Sequence, residues 1–262
     1  MHTIDFAKLY KKERKKSTFK GKKAEEWDEL AKKFKNRALH SPYVDEFVRR
    51  VDLSHCETLL DVGCGPGTIA LALAPQLKQV WGVDYSKAML SVLEEEAKRR
   101  GLAHVTPIKA SWEEDWTNIP VADIVVASRS LDVEDLADAL EKLHRHAKQR
   151  VYLTYKVGSS FVDPEILTFI GKKIHARPDY PYILMLLYRM GINPKLDYIS
   201  VKDGPVAYES EEEFIKSLEW SIGRLGPKKR LKASEFYTRF IATGHYTPPS
   251  MNWAFISWTK SS

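Results

Sequence analysis

The run Leu59-Leu60-Asp61-Val62-Gly63-Cys64-Gly65-Pro66-Gly67 constrains this 262-residue chain more than any other stretch. An apolar segment ends in three glycines at alternate positions, and a small-residue helical pattern over 68–74 follows, closed by Pro75. Glycine lets the backbone turn sharply and approach a ligand with no Cβ in between. A strand, a glycine turn and a helix in that order build the ligand-binding corner of an open parallel sheet, beyond the carboxyl ends of the strands. The remaining pattern supports such a sheet. Apolar runs at 58–62, 79–83, 105–109, 123–127 and 150–155 read as strands, and segments 87–100 and 133–147 read as helices between them. Ser86 caps the first of these helices and Gly101 stops it. Repeated strand–helix units at this spacing predict an α/β fold, a mostly parallel sheet with helices on both faces.

Residues 4–39 read as one or two helices, with Trp27, Leu30, Ala31 and Phe34 at helical spacing among charges. A further helix over 41–51 opens on a Ser-Pro pair. Past the fifth strand, helices are expected at 163–176, 182–190, 211–223 and 233–243, and strands at 196–201 and 252–259. The organisation predicted is an N-terminal helical lid over 1–52 and a domain over 53–262, with helical insertions at about 160–192 and 207–247. Within the first insertion, Tyr180, Tyr182, Leu186, Leu187 and Met190 either line an apolar acceptor pocket or pack an insertion helix on the sheet.

Charge narrows the partners. The formal excess is +6, yet residues 11–23 alone hold eight basic residues and one Glu, and residues 24–262 come to −1. This distribution argues against a nucleic-acid groove spread over the whole surface, though not against a local one. No apolar run reaches about 18 residues and the N-terminus has no apolar core, so neither a membrane span nor a secretory signal is expected. The expected compartment is the cytoplasm. Cys56 and Cys64 lack CxxC spacing and histidine companions, so neither a disulfide scaffold nor a metal site is expected.

Three features discriminate among ligands for the glycine turn. Asp61 lies two residues before the first glycine, where a buried carboxylate repels a pyrophosphate and suits a cation. The dinucleotide register GxGxxG fails, because its third glycine falls on Thr68. Asp84 ends the second strand, placed to accept the two hydroxyls of a ribose, a feature dehydrogenases share.

With LLDVGCGPGTIALALA followed by VWGVDYSKAML, the chain resembles class I S-adenosylmethionine-dependent methyltransferases over roughly residues 57 to 157. The final NWAFISWT is similar to that fold's antiparallel seventh strand, which implies a Rossmann-like seven-stranded sheet, mostly parallel. The resemblance implies S-adenosylmethionine as cofactor, with the backbone of Gly63, Cys64 and Gly65 against its methionine part, Gly67 completing the cofactor-binding turn, and Asp61 facing the amino end directly or through water. It implies Asp84 on the ribose, with Tyr85 and Met89 flanking the adenine. Ser111 and Trp112 follow the third strand, where the family often carries an Asp for the adenine edge; here Ser111 or backbone substitutes. Ser128, Arg129 and Ser130 end the fourth strand, near the sulfonium and the acceptor, and Trp27 either closes over the cofactor or faces the core.

Methyl transfer from a sulfonium is an in-line displacement that demands positioning more than a fixed catalytic group. Cys64, between glycines, reads as a space-saving residue, not a nucleophile. His40, Tyr43, Tyr155 and Lys156 are acid–base candidates or plain architecture, and Arg129 binds an anionic acceptor group or forms a structural ion pair. Strand four ends in SRSL. The Asn/Asp-Pro-Pro-Tyr/Phe motif, the Pro-Cys motif, the ribose-methylating tetrad and a magnesium constellation are all missing, which leaves a small-molecule acceptor as the leading expectation. The alternatives are RNA methylation using the basic arm, and a non-catalytic module that binds S-adenosylmethionine.

Overall fold

A computed structural model describes residues 4–19, 21–31, 34, 40–158, 160–201, 208 and 210–260. Seven strands form one sheet: β1 (Thr58–Val62), β2 (Gln79–Asp84), β3 (Val105–Lys109), β4 (Ala122–Ser128), β5 (Ala147–Lys156), β6 (Lys195–Val201) and β7 (Met251–Thr259). Their order is β3-β2-β1-β4-β5-β7-β6. The pairs among β1 to β5 are parallel, and β7 runs antiparallel to both β5 and β6. This is the expected sheet, with its antiparallel last strand inserted beside β5. Strand order reverses at β1, which has β2 on one side and β4 on the other, so a crevice opens at the carboxyl ends of β1 and β4.

The helices are α1 (Phe6–Lys16), α2 (Ala24–Ala31), α3 (Pro42–Arg49), α4 (Thr68–Leu73) and α5 (Lys87–Arg99). They continue as α6 (Leu136–His146), α7 (Pro164–Phe169), α8 (Pro181–Arg189), α9 (Glu211–Ile222) and α10 (Pro227–Phe236). Side chains alternate across a strand, so β1 sends Leu60 and Val62 to one face and Leu59 to the other. The first face packs under α1, α6 and α8, with Tyr10, Leu140, Leu143 and Leu187 buried there. The second packs under α3, α4 and α5 around Phe47, Ile69, Leu71 and Leu93. Outside α5 lies α2, with Trp27 and Ala31 against Met89 and Val92. A satellite cluster joins α7, α9 and α10 around Phe214 and Phe236, and takes in Phe19.

Two helix boundaries differ from expectation. The helix expected over 163–176 stops at Phe169, because Gly171 takes φ +65° and the Lys172 amide donates to the Leu167 carbonyl, a turn that ends a helix. The helix expected from 233 begins at Pro227, directly after Gly226, with proline in the first turn.

The basic segment is a docked helix over much of its length. Tyr10 of α1 is 1% exposed and its hydroxyl donates to the Val133 carbonyl at 2.8 Å. Arg14 pairs with Asp132 at 2.6 Å, and Arg177 reaches the other oxygen of the same carboxylate at 2.6 Å.

Candidate cofactor site

The site begins with Asp61 near the end of β1, 1% exposed. Its Oδ2 accepts the Ala70 amide of α4 at 3.0 Å, while its Oδ1 is buried with no hydrogen-bond partner among the described residues. Burial pushes this carboxyl up to about 7; nearby Asp84 adds to the rise and the Ala70 amide opposes it. A buried carboxylate oxygen without a donor is costly unless a ligand satisfies it.

The glycine turn shows what kind of ligand that is. The Gly63 and Cys64 amides donate to the Val83 carbonyl at 2.8 and 3.0 Å, and the Gly65 amide donates to Asp84 Oδ2 at 2.8 Å. In a phosphate cradle these N–H groups point at the ligand. Here they turn inward onto β2, so the turn presents no amide cradle to a phosphate and lies beside a buried carboxylate that suits a cation. Gly63 sits at φ +66°, and a Cβ there would lie 2.2 Å from Ser130 Cβ. That close approach ties the end of β4 to β1, where the Ser130 hydroxyl donates to the Val62 carbonyl at 2.7 Å. Above Gly65, at φ +54°, a Cβ would meet nothing within 4 Å, so this side of the turn is open. Gly67, also at positive φ, starts α4. Cys64 is buried with its sulfur over Gly82, where a Cβ would come within 3.0 Å of it, and burial raises its thiol well above the ordinary range. It fills space, as its position between glycines predicts.

Asp84 ends β2 at 7% exposure, its Oδ1 accepting the Ser86 amide at 2.9 Å and its Oδ2 the Gly65 amide. Burial raises its carboxyl, and the backbone donors oppose the rise. Each oxygen keeps a lone pair, which suits a pair of vicinal hydroxyls. The adjoining wall is made by α2 and α5. Ser86 accepts the Met89 amide at 3.1 Å and donates to Asp28 Oδ1 at 2.6 Å, which also accepts the Ala88 amide at 3.1 Å. Asp28 thereby clamps α2 over the start of α5. Trp27 packs with Met89 and stands edge-on to Trp220 at 5.7 Å, while the Tyr85 hydroxyl donates to the Lys22 carbonyl at 2.9 Å. Burial raises the Tyr85 phenol.

Ser111 and Trp112 follow β3, where the Ala110 amide donates to the Asp84 carbonyl at 3.1 Å. The Ser111 carbonyl accepts the Trp116 indole at 2.8 Å, and Trp112 stacks on Trp116 at 5.3 Å. The structure therefore brings this loop alongside Asp84, with the Trp112 ring engaged in packing.

At the far side of the crevice, Tyr43 of α3 is 4% exposed. Its hydroxyl bonds with Ser128 Oγ at 2.8 Å and Thr154 Oγ1 at 2.6 Å, and Thr154 Oγ1 also accepts the Arg129 amide at 3.1 Å. Burial raises the Tyr43 phenol and Arg129 opposes the rise, while its hydroxyl joins β4 to β5. Of the other acid–base candidates, Tyr155 and Lys156 line a cleft together with Arg129 and Thr154, and His40 stands at the surface. His40 is exposed, 3.9 Å from Asp45; the Tyr155 hydroxyl donates to the Pro178 carbonyl at 3.0 Å; Lys156 donates to the Val157 carbonyl at 2.7 Å. In the first insertion, Leu186 and Leu187 are core residues, Tyr182 meets Tyr10 edge-on at 5.8 Å, and Tyr180 bonds Tyr198. That stretch packs a helix on the sheet. Asp28 and Thr154 were missed in the sequence, although Thr154 had a signal: a small polar residue between Leu153 and Tyr155 in a mostly apolar and aromatic run. Among the described residues, no group of three His, Cys, Asp or Glu side chains can hold a metal ion, and no helix is long and apolar enough to cross a membrane.

Residues 59–150 match a family described as a methyltransferase domain, which spans β1 to β4 and the start of β5. An uncharacterised protein of Haemophilus influenzae strain Rd is 35% identical over 261 residues, covering 98% of this chain and 97% of that one. A demethylmenaquinone methyltransferase of Geobacillus kaustophilus is 29% identical over 117 residues, 42% of this chain and 48% of that one, so the chain matches about half the length of that relative. Among solved structures, the YcgJ protein of Bacillus subtilis superposes with a TM-score of 0.57 at 17% identity, over 85% of this chain and all of that one, a likeness of fold. Strand order, the inward-turned glycine loop and these similarities converge on one assignment: the chain belongs to the class I S-adenosylmethionine-dependent methyltransferase family.

Proposed function

We propose that the chain binds S-adenosylmethionine across the carboxyl ends of β1 and β2 and transfers its methyl group to a small-molecule acceptor by in-line displacement, as a cytoplasmic enzyme. The observation that carries this reading is the unpartnered, buried Asp61 Oδ1 beside a glycine turn whose amides face away from the ligand. Both features fit an α-ammonium group and disfavour a pyrophosphate. In this reading Asp61 holds the amino end of the methionine part, which lies against the backbone of Gly63, Cys64 and Gly65. Asp84 takes the ribose hydroxyls, and Tyr85, Met89 and Trp27, with the Ser111–Trp112 loop, enclose the adenine. Ser128, fixed by Tyr43, borders the reacting end. The bound cofactor supplies an electrophilic methyl carbon on sulfur, so the protein's share is alignment and exclusion of water. Segment 1–52 acts as the lid: α2 closes the adenine side through Asp28 and Trp27, and α3 closes the other through Tyr43.

Calorimetry with S-adenosylhomocysteine tests the site. The unaltered chain binds, and Asp84→Ala weakens binding by about 30-fold or more, the loss of two charge-assisted hydrogen bonds. Undiminished binding refutes the assignment. Labelled methyl groups traced from S-adenosylmethionine into metabolite, RNA and protein fractions then test the acceptor class. Label in the metabolite fraction is expected; label in RNA alone, or in no fraction, overturns the small-acceptor reading.

A further inference from the structure

Resting on that reading, the acceptor end of the site has a chemistry of its own. At the carboxyl ends of β4 and β5 lies a shallow, half-open cleft with about 30 Å³ of its own space, the rest of it continuous with solvent. Its lining includes Arg129, Asp132, Lys156, Phe161, Arg177 and Trp253. The charges do not cancel. Asp132 is shared between Arg14 and Arg177. Arg129 and Lys156 have no carboxylate within 4 Å among the described residues. Asp179 faces Lys156 from farther away, with its own oxygens accepting the Gly158 and Tyr180 amides. The walls are aromatic. The Arg129 guanidinium lies 4.2 Å from the Tyr43 ring centre and 5.7 Å from that of Trp253, and Phe161 meets Trp253 at 6.1 Å.

A second, independent observation marks Arg129. It is a non-glycine residue in the left-handed region, φ +59°, at the end of a buried central strand. Such backbone strain persists where the surroundings over-determine it, and it clusters at ligand clamps. Here Thr154 holds the Arg129 amide and Tyr43 holds Thr154, so the same hydroxyl network that borders the reacting end aims the arginine into the cleft.

We infer that the methyl acceptor carries a carboxylate on a flat apolar body, the carboxylate gripped by Arg129 and Lys156 and the body lying against Phe161 and Trp253. A guanidinium fork matches a planar carboxylate in two-point contact, and aromatic walls lower the local polarity that would weaken it. The cofactor's own methionine end also carries a carboxylate, so the two sources must be separated.

The test titrates benzoate, trans-cinnamate and the matching neutral amides into the full chain saturated with S-adenosylhomocysteine. The carboxylates bind at least about tenfold more tightly than the amides. Arg129→Gln and Lys156→Gln each remove that preference while S-adenosylhomocysteine affinity changes less than about threefold, and Arg129→Lys retains part of it. No carboxylate preference in the unaltered chain, or a preference that survives Arg129→Gln, overturns the inference. Arg129→Gln that weakens S-adenosylhomocysteine tenfold and leaves the preference intact also overturns it, assigning the arginine to the cofactor carboxylate. Failure of S-adenosylhomocysteine to bind the unaltered chain sinks the cofactor reading instead.

Discussion

Replacing Asp61 by Asn separates what this residue does for binding from what it does to stability, and the two effects have opposite signs. The Asp61 carboxyl rises from an ordinary 3.8 to about 7 in the folded chain, chiefly through burial. The folded state therefore holds a proton that the unfolded state releases between about pH 4 and 7. A raised folded pKa contributes stability that is complete below the unfolded pKa and is lost as pH rises through the folded one. At about 1.4 kcal/mol per unit, the unliganded chain loses roughly 2–3 kcal/mol between pH 5 and pH 8 from this group alone. The amide of the Asp61→Asn variant cannot ionise, so that variant escapes the loss. For a chain of this size the gap in melting temperature between Asp61→Asn and the unaltered protein widens by about 5–10 °C from pH 5 to pH 8, in favour of the variant.

Binding moves the other way. An ammonium group placed at Oδ1 needs the ionised carboxylate, so S-adenosylhomocysteine affinity of the unaltered chain rises with pH through the same window. If only the ionised form binds, affinity at pH 5 is about fiftyfold below that at pH 7. Asp61→Asn binds weakly with no such slope. The assays are thermal melts of the unliganded proteins at pH 5, 6, 7 and 8, and calorimetric titrations at pH 5, 6 and 7. A melting gap that stays flat across pH, or unaltered affinity in Asp61→Asn, refutes the reasoning that Asp61 is a buried charge kept for a cation.

The cofactor half of the site was legible because its signals are local. Gly63, Gly65 and Asp61 lie within five residues, and Asp84 falls at the end of the next strand, so pattern and topology place them together without tertiary knowledge. The two misplaced helix boundaries were legible as well: Gly171 and the Gly226-Pro227 pair are both punctuators, and helical periodicity was read across one and short of the other. The acceptor half was legible only in part: Arg129, Tyr43 and Lys156 stand out in the sequence, but the contacts that gather them do not. Tyr43 and Thr154 meet across 111 residues, and Asp132 gathers Arg14 and Arg177 from segments on either side of it in sequence. Those contacts depend on how α1 and α3 dock on the two faces of the sheet, which amphipathic periodicity permits but does not specify. The +6 charge shows the same limit. Sequence placed it in one segment, whereas packing divides that segment between buried ion pairing at Arg14 and an exposed lysine face.

Two further variants probe that division. Asp132→Asn leaves the largely buried guanidinium groups of Arg14 and Arg177 facing each other without their shared carboxylate. It should lower stability by about 2–4 kcal/mol, read as a melting temperature about 5–15 °C lower; a change under about 2 °C refutes the view that this triad fastens α1 to the fold. Lys8→Glu, Lys12→Glu and Lys15→Glu together reverse the lysine face of α1 and spare Lys11, which pairs with Asp135. S-adenosylhomocysteine affinity should stay within about twofold and label from S-adenosylmethionine should reach the metabolite fraction as before, because these lysines lie outside both the glycine turn and the cleft. A basic face that guides RNA to the site would behave differently: RNA labelled by the unaltered chain, lost in the triple variant, with a shallower dependence of RNA affinity on salt, would make the lysine face part of substrate recognition and would overturn the small-acceptor reading.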